Sequence, residues 1–343
     1  MDSLAGLEGK ANKERCALCR LLLQGIQPRM KGRRDFIRFA RVGSYLTMEE
    51  GEGQAIANLY TMLGMFGIQS SFTLSFTITD RNSGSQKSTL QDIQMGFPKL
   101  PEAGSATHLK VMREWIHCCD DTHDCYPKDL DSLPTRYLDI SGSDSGTVRL
   151  VNLGRGYTGS GRYAALSHRW GSPQLHAKFC TYKSNIEDLQ RGFEITRLPK
   201  TFQDAVHVTR GLGLKRLWID SLCIVQDDQD DWEAESKLMG RVFSSAYCTI
   251  AASCASGSSD GFLKPRPERR CVVMQGPPGD GTYCVCETID DFHRDVDQGE
   301  LNQRGWVLQE RALSRRTIYF TETQSYWECG GGVRCETMTK MKK

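Results

Sequence analysis

The sequence predicts an α/β fold: a largely parallel sheet flanked by helices, preceded by a smaller N-terminal α+β region. Three observations carry this. From about residue 162 onward, short apolar segments alternate with amphipathic ones of helical period. The helical segments carry start and stop residues at their ends. The spacing between successive apolar segments leaves room for a helical crossover, which parallel strands require.

In chain order, CALCRLLLQGI and HLKVMREWIHCC read as helices that open and close a first zone, with strand candidates such as FTLSFTIT between them. YPKDLDSLPTRYLDISGSDSGTVRL mixes prolines, glycines and short strand-like pieces, as a connection does. RYAALSHRW is then a strand, LPKTFQDAVHVTRGLGL a helix with Gly211 and Gly213 at its end, and RLWIDSLCI a second strand. DDWEAESKLMGRVFSSA is a helix, YCTIAASCA a third strand, QRGWVLQERALS a short helix and RTIYFTET a fourth strand. The expected organisation is residues 1–135 as an N-terminal region with a Cys/His cluster, 136–160 as a linker and 161–343 as the α/β domain. Leu166, Leu217, Ile219, Ile250 and Ile318 are the expected buried sheet residues.

Composition limits the function. Of 343 residues, 44 are Lys or Arg and 42 are Asp or Glu, so no global field draws the chain to nucleic acid or to an anionic membrane. The N-terminus lacks the apolar core of a signal peptide, and the apolar stretch 59–78 is broken by Gln69, Ser70 and Ser71. A cytoplasmic protein without a membrane span is expected. Fourteen cysteines spread along a long chain without a secretory signal read as reduced thiols.

Ligands of parallel sheets sit beyond the carboxyl ends of the strands, where SHRWG and SLCIVQDD fall. In the helix after the acidic loop, Trp232, Met239, Val242, Phe243 and Ala246 define an apolar face, and Glu235 lies on it. Asp230 reads as the helix cap, with Glu233 completing a capping box. A carboxylate on a core-facing stripe is costly unless paired, protonated or lining a cavity. Glu235 is therefore either an ion-pair partner of Arg169 or Arg304, or a site carboxylate. Glu310 points the same way beside Trp306 and Leu313, with Arg311, Arg315 and Arg316 near enough in sequence to pair with it. Ser167 and His168 point to opposite faces of an extended segment and cannot form a nucleophile–base pair. Ser167, Arg169, Trp170, Asp220, Gln226, Trp232 and Glu310 are the candidate ligand-binding residues around Glu235. No nucleophile elbow, phosphate loop or dinucleotide fingerprint is present.

Cys16 and Cys19 form a CxxC, and Cys119, His123 and Cys125 follow about a hundred residues later. Two such pairs brought together by the fold make a closed structural zinc site.

Three blocks, read together, resemble the fungal heterokaryon incompatibility (HET) domain. RYAALSHRWG matches that family's Y-x-x-L-S-Y-x-W-G, with His168 in place of the usual Tyr. LPKTFQDAVHVTRGLGLKRLWIDSLCIVQDDQDDWEAESKLMGRVFSSAYCTIAAS carries W-I-D-x-L-C-I-x-Q and D-W-x-x-E. RGWVLQERALSRRTIYF with YWEC completes the set, with Val307 replacing the usual Thr. The resemblance implies a module of fungal non-self recognition whose activation leads to growth arrest or cell death. The family has been compared with Toll/interleukin-receptor (TIR) domains, which implies a TIR/flavodoxin-like layer and NAD as a substrate, with Glu235 as the catalytic glutamate. The alternative is a non-catalytic signalling scaffold that binds a protein partner or self-associates. Relatives often continue beyond the third block, so a C-terminal truncation is expected.

Overall fold

The computed structural model describes residues 2–26, 36–42, 45–50, 64–70, 97, 99–123, 125, 133–142, 146–157, 159–172, 179–275, 282–287, 289–337 and 340–341. FTLSFTIT and the linker segment 126–132 lie outside them. The chain divides into two compact units: Met1–Leu100 with Glu268–Asp290 and Glu336–Thr339, and Pro101–Pro267 with Asp291–Cys335 and Lys340–Lys343.

The first unit is a six-stranded sheet. Strands Asp2–Ser3, Phe36–Val42, Tyr45–Glu50, Gly64–Ser70, Thr282–Glu287 and Cys271–Gln275 follow one another across it, each antiparallel to its neighbour. Helices Leu4–Asn12 and Ala17–Ile26 belong to the same unit.

The second unit holds a ten-stranded sheet. Its strands in chain order are β1 (Arg136–Asp139), β2 (Thr147–Asn152), β3 (Ala164–Ser167), β4 (Phe193–Glu194), β5 (Arg216–Trp218), β6 (Cys248–Ala251), β7 (Arg316–Phe320), β8 (Ser325–Cys329), β9 (Gly332–Cys335) and β10 (Lys340–Met341). Its helices are α1 (Ala106–Thr122), α2 (Ile186–Arg191), α3 (Lys200–Gly211), α4 (Asp220–Cys223), α5 (Gln229–Ser245) and α6 (Gly305–Leu313). The spatial order of the strands is β10-β9-β8-β7-β6-β3-β5-β1-β2-β4. Only the central run β7-β6-β3-β5 is parallel, and every flanking pair is antiparallel.

The sheet is therefore mixed, which corrects the expectation of a largely parallel one. The reason lies in the connections. Helical crossovers separate the central strands, whereas short turns join β7 to β8 and β8 to β9, and a short turn can only return the chain antiparallel. The stretch read as a linker carries β1 and β2, and β1 pairs directly with β5.

Burial follows position. Every residue of β3 and β6 is buried, so these strands show no alternation, as expected where helices cover both faces. In β2, buried Val148 and Leu150 alternate with half-buried Thr147 and Val151 and exposed Arg149. Leu166, Leu217, Ile219, Ile250 and Ile318 are at most 1% exposed. Helix α3 buries Phe202, Ala205, Val206 and Val208. It ends in a Schellman turn: Leu214 N–H donates to Thr209 O at 3.0 Å and Gly213 N–H to Arg210 O at 2.9 Å. That turn needs a left-handed residue, and Gly213 supplies it at φ 79°. The segment DSLC, expected within the second strand, leaves it and forms the single turn α4.

Candidate functional site

The acidic loop between β5 and α5 serves the fold first. Asp228, not Asp230, caps α5, accepting from Asp231 N–H at 3.4 Å, so the expected capping box through Glu233 is displaced. Asp227 accepts from Lys183 N–H at 2.8 Å. Asp231 turns inward to Arg136, which donates to Oδ1 at 2.6 Å and Oδ2 at 3.0 Å, while Val225 N–H donates to Oδ2 at 2.9 Å. Burial opposes its ionisation, but these bonds hold Asp231 below the usual carboxylate range.

Anchoring Asp231 fixes the rotation of α5. Its buried stripe runs through Asp231, Glu235, Val242 and Ser245, at helical spacing. Trp232 falls off that stripe and is 43% exposed, lining an open hollow with Gln226, Asp227, Asp228 and Gln229. The expectation that Trp232 shares the inner face with Glu235 is thus corrected.

Glu235 is 3% exposed. It lines a cavity of ≈ 170 Å³ whose wall includes Pro134, Thr135, Tyr157, Tyr163 and Arg241. Thr135 stands beside it in the cavity wall, and Oε1 has no hydrogen-bond partner. Burial raises its pKa, against the nearby Arg136 and Arg155 charges, which favour the ion. Neither Arg169 nor Arg304 is its ion-pair partner: Arg169 pairs with Glu300, and Arg304 donates to the His168 carbonyl.

A second group gathers at the carboxyl ends of β3 and β5. Trp170 Nε1 donates to Asp220 Oδ2 at 2.8 Å, and Asp220 Oδ1 accepts from Ser221 N–H at 2.7 Å. Gln226 reaches back to the carbonyls of Ile224 and Asp220, at 2.9 and 3.4 Å. His168 is buried edge-on to Phe202. Its Nδ1 lies 3.8 Å from Asp220 Oδ1, and neither ring nitrogen has a hydrogen-bond partner. Burial depresses its pKa, favouring the neutral ring, against the pull of Asp220.

Glu310, on α6, shares a small space with Ser167 at this end of the sheet, and its Oε2 has no hydrogen-bond partner. Burial, with Asp220 adding to it, pushes its pKa up to about 7. The expected arginine partners are engaged elsewhere: Arg311 with Asp297 and Glu328, and Arg316 with Asp120. The space beside Ser167 and Glu310 is only ≈ 10 Å³, too small for a substrate.

The structure thus brings Ser167, Trp170, Asp220, Gln226 and Glu310 to one end of the sheet, and sets Glu235 in a separate cavity. Sequence reasoning missed Thr135, Tyr157, Tyr163 and Arg241. Thr135 and Arg136 stand together in the stretch read as a connection, and Tyr163 opens the first matched block, so spacing within a motif could not single them out.

Among the described residues, one Cys/His group could hold a metal: Cys119, His123, Cys125 and Cys329. Three of these were expected. Cys16 and Cys19 are not in this group; within the first unit, Cys19 N–H donates to Cys16 Sγ at 3.4 Å. Cys329, at the end of β8, completes the set instead. No described helix is long and apolar enough to cross a membrane.

No curated protein and no solved structure matches the chain. One family does: residues 163–310 match the model described as "Heterokaryon incompatibility protein (HET)". The matched span opens with Tyr163 in the wall of the Glu235 cavity, contains β3, β5 and β6, and ends on Glu310. The chain therefore carries a domain of the heterokaryon incompatibility family across residues 163–310.

Proposed function

We propose that this chain is an effector of heterokaryon incompatibility in fungal non-self recognition, which arrests growth or kills the cell by cleaving NAD at the Glu235 cavity. The observation that carries the site is Glu235 itself: a buried carboxylate with one unpartnered oxygen, in the wall of a cavity lined by two tyrosines and an arginine. A cavity of ≈ 170 Å³ suits a ribosyl group rather than a whole dinucleotide, so the rest of NAD lies outside it. Breaking the bond between nicotinamide and ribose leaves an oxocarbenium-like carbon, which a nearby carboxylate stabilises until water adds, giving nicotinamide and ADP-ribose. Burial raises the Glu235 pKa, and the Arg136 and Arg155 charges act against it, in favour of the anion this step needs.

The experiment incubates purified full chain with NAD, separates the products by chromatography and compares Glu235→Gln. Loss of cleavage and of toxicity in a fungal host together, at unchanged melting temperature, supports the reading. Wild-type protein that is toxic yet leaves NAD intact overturns it.

A second reading, a scaffold that binds a protein partner or self-associates, is favoured by Trp232. An exposed tryptophan on the first turns of a helix is the kind of side chain that anchors interfaces. On this reading Trp232→Ala removes toxicity, and Glu235→Gln does not.

A further inference from the structure

Four side chains that the proposed function does not use converge where α1 ends. Cys119 lies in the last turn of α1 and His123 is its C-cap, four residues on, so the two share one face. Cys125 follows, and Cys329 ends β8. Their candidate ligand atoms all lie within 4.8 Å of one another, with the three cysteines buried and His123 half-buried. His123 Nδ1 is 3.4 Å from Cys329 Sγ. A tetrahedral zinc with usual bond lengths sets neighbouring S and N atoms about 3.6 Å apart, so this spacing already approaches that of a ligand shell.

The β8–β9 turn is built around the group. A Cβ on Gly331 would fall 2.0 Å from His123 Cε1, and one on Gly330 would fall 3.0 Å from Cys125 Sγ. Bare backbone at these two positions lets both side chains close onto the turn. Gly331 N–H donates to Cys329 Sγ at 3.3 Å, an outer-shell bond that stabilises a thiolate. Cys118, the neighbour of Cys119, faces Thr122 instead, with Sγ 3.8 Å from its hydroxyl.

We propose that Cys119, His123, Cys125 and Cys329 bind one zinc ion in a closed structural Cys₃His site that fastens the end of α1 to the β8–β9 hairpin. Four protein donors leave no open position, so the ion's role is to hold the fold. Binding releases the three thiol protons to solvent. The three thiolates and neutral imidazole around Zn²⁺ leave one net negative charge.

The test purifies the full chain under a thiol reductant without chelators and measures zinc by elemental analysis. One zinc per chain is expected, retained in Cys118→Ser and in the double variant Cys16→Ser/Cys19→Ser, and lost in Cys329→Ser. Replacement by cobalt(II) gives a second readout that does not depend on the cysteine variants folding. The wild type should show tetrahedral cobalt bands with three-thiolate charge transfer, and His123→Cys should raise that intensity by about one third. Folded wild-type protein without stoichiometric zinc and without a tetrahedral cobalt spectrum overturns the proposal. So does a disulfide among the four under reductant, or a folded Cys329→Ser variant with unchanged metal content and thiolate intensity.

Discussion

Replacing Glu310 with glutamine should change the pH dependence of stability more than any other single substitution at the sheet end. Burial raises this carboxyl from its ordinary 4.5 to about 7 in the folded chain. The folded state therefore holds a proton that the unfolded state gives up between those values, and stability falls as pH rises through that window. A shift of this size corresponds to about 3 kcal/mol, complete by about pH 8 and nearly absent at about pH 4. Glutamine keeps the shape but carries no charge to desolvate. The variant should match the wild type at about pH 4 and exceed it by about 3 kcal/mol at about pH 8. Neutral, buried His168 works in the opposite direction, because its depressed pKa makes acid destabilising as the unfolded ring takes up a proton. The difference between variant and wild type cancels that contribution. Urea titrations followed by tryptophan fluorescence across this pH range measure the difference directly. Parallel stability curves for the two proteins would refute the reasoning, since they would mean that Glu310 ionises freely in the folded state.

Asp231→Ala leaves the Arg136 guanidinium buried without its bidentate partner, and should cost about 3–5 kcal/mol in the same urea assay. In the wild type that stability is present above the ordinary aspartate pKa and is lost as pH falls through the lower folded value; Asp231→Ala should lack that acid limb. Ile250→Ala, at the centre of the parallel run with both faces buried, should cost about 2–5 kcal/mol, read from the urea midpoint at constant slope.

The sequence by itself determined the order of the four central strands and of the main helices between them, the burial of those strands and the resemblance to the family. These depend on local information: apolar segments too short for helices, helix ends marked by residues such as Gly213, and three motif blocks whose order survives in one chain. It also marked Glu235 and Glu310 as carboxylates on buried faces, and both are buried. Only the tertiary structure decided what those carboxylates meet. Glu310 faces Ser167 rather than an arginine because Arg311 and Arg316 find acids on other elements, and sequence proximity cannot rank partners that lie across a sheet. The Arg136–Asp231 pair joins β1 to α5 across almost a hundred residues and turns Trp232 outward, so a rotation of one helical position depended on a contact no window could contain. Cys329 replaces Cys16 and Cys19 beside Cys119 for the same reason: strand register places the end of β8 opposite Arg316, where α1 ends, and register is fixed by pairing between distant segments rather than by the spacing of cysteines along the chain.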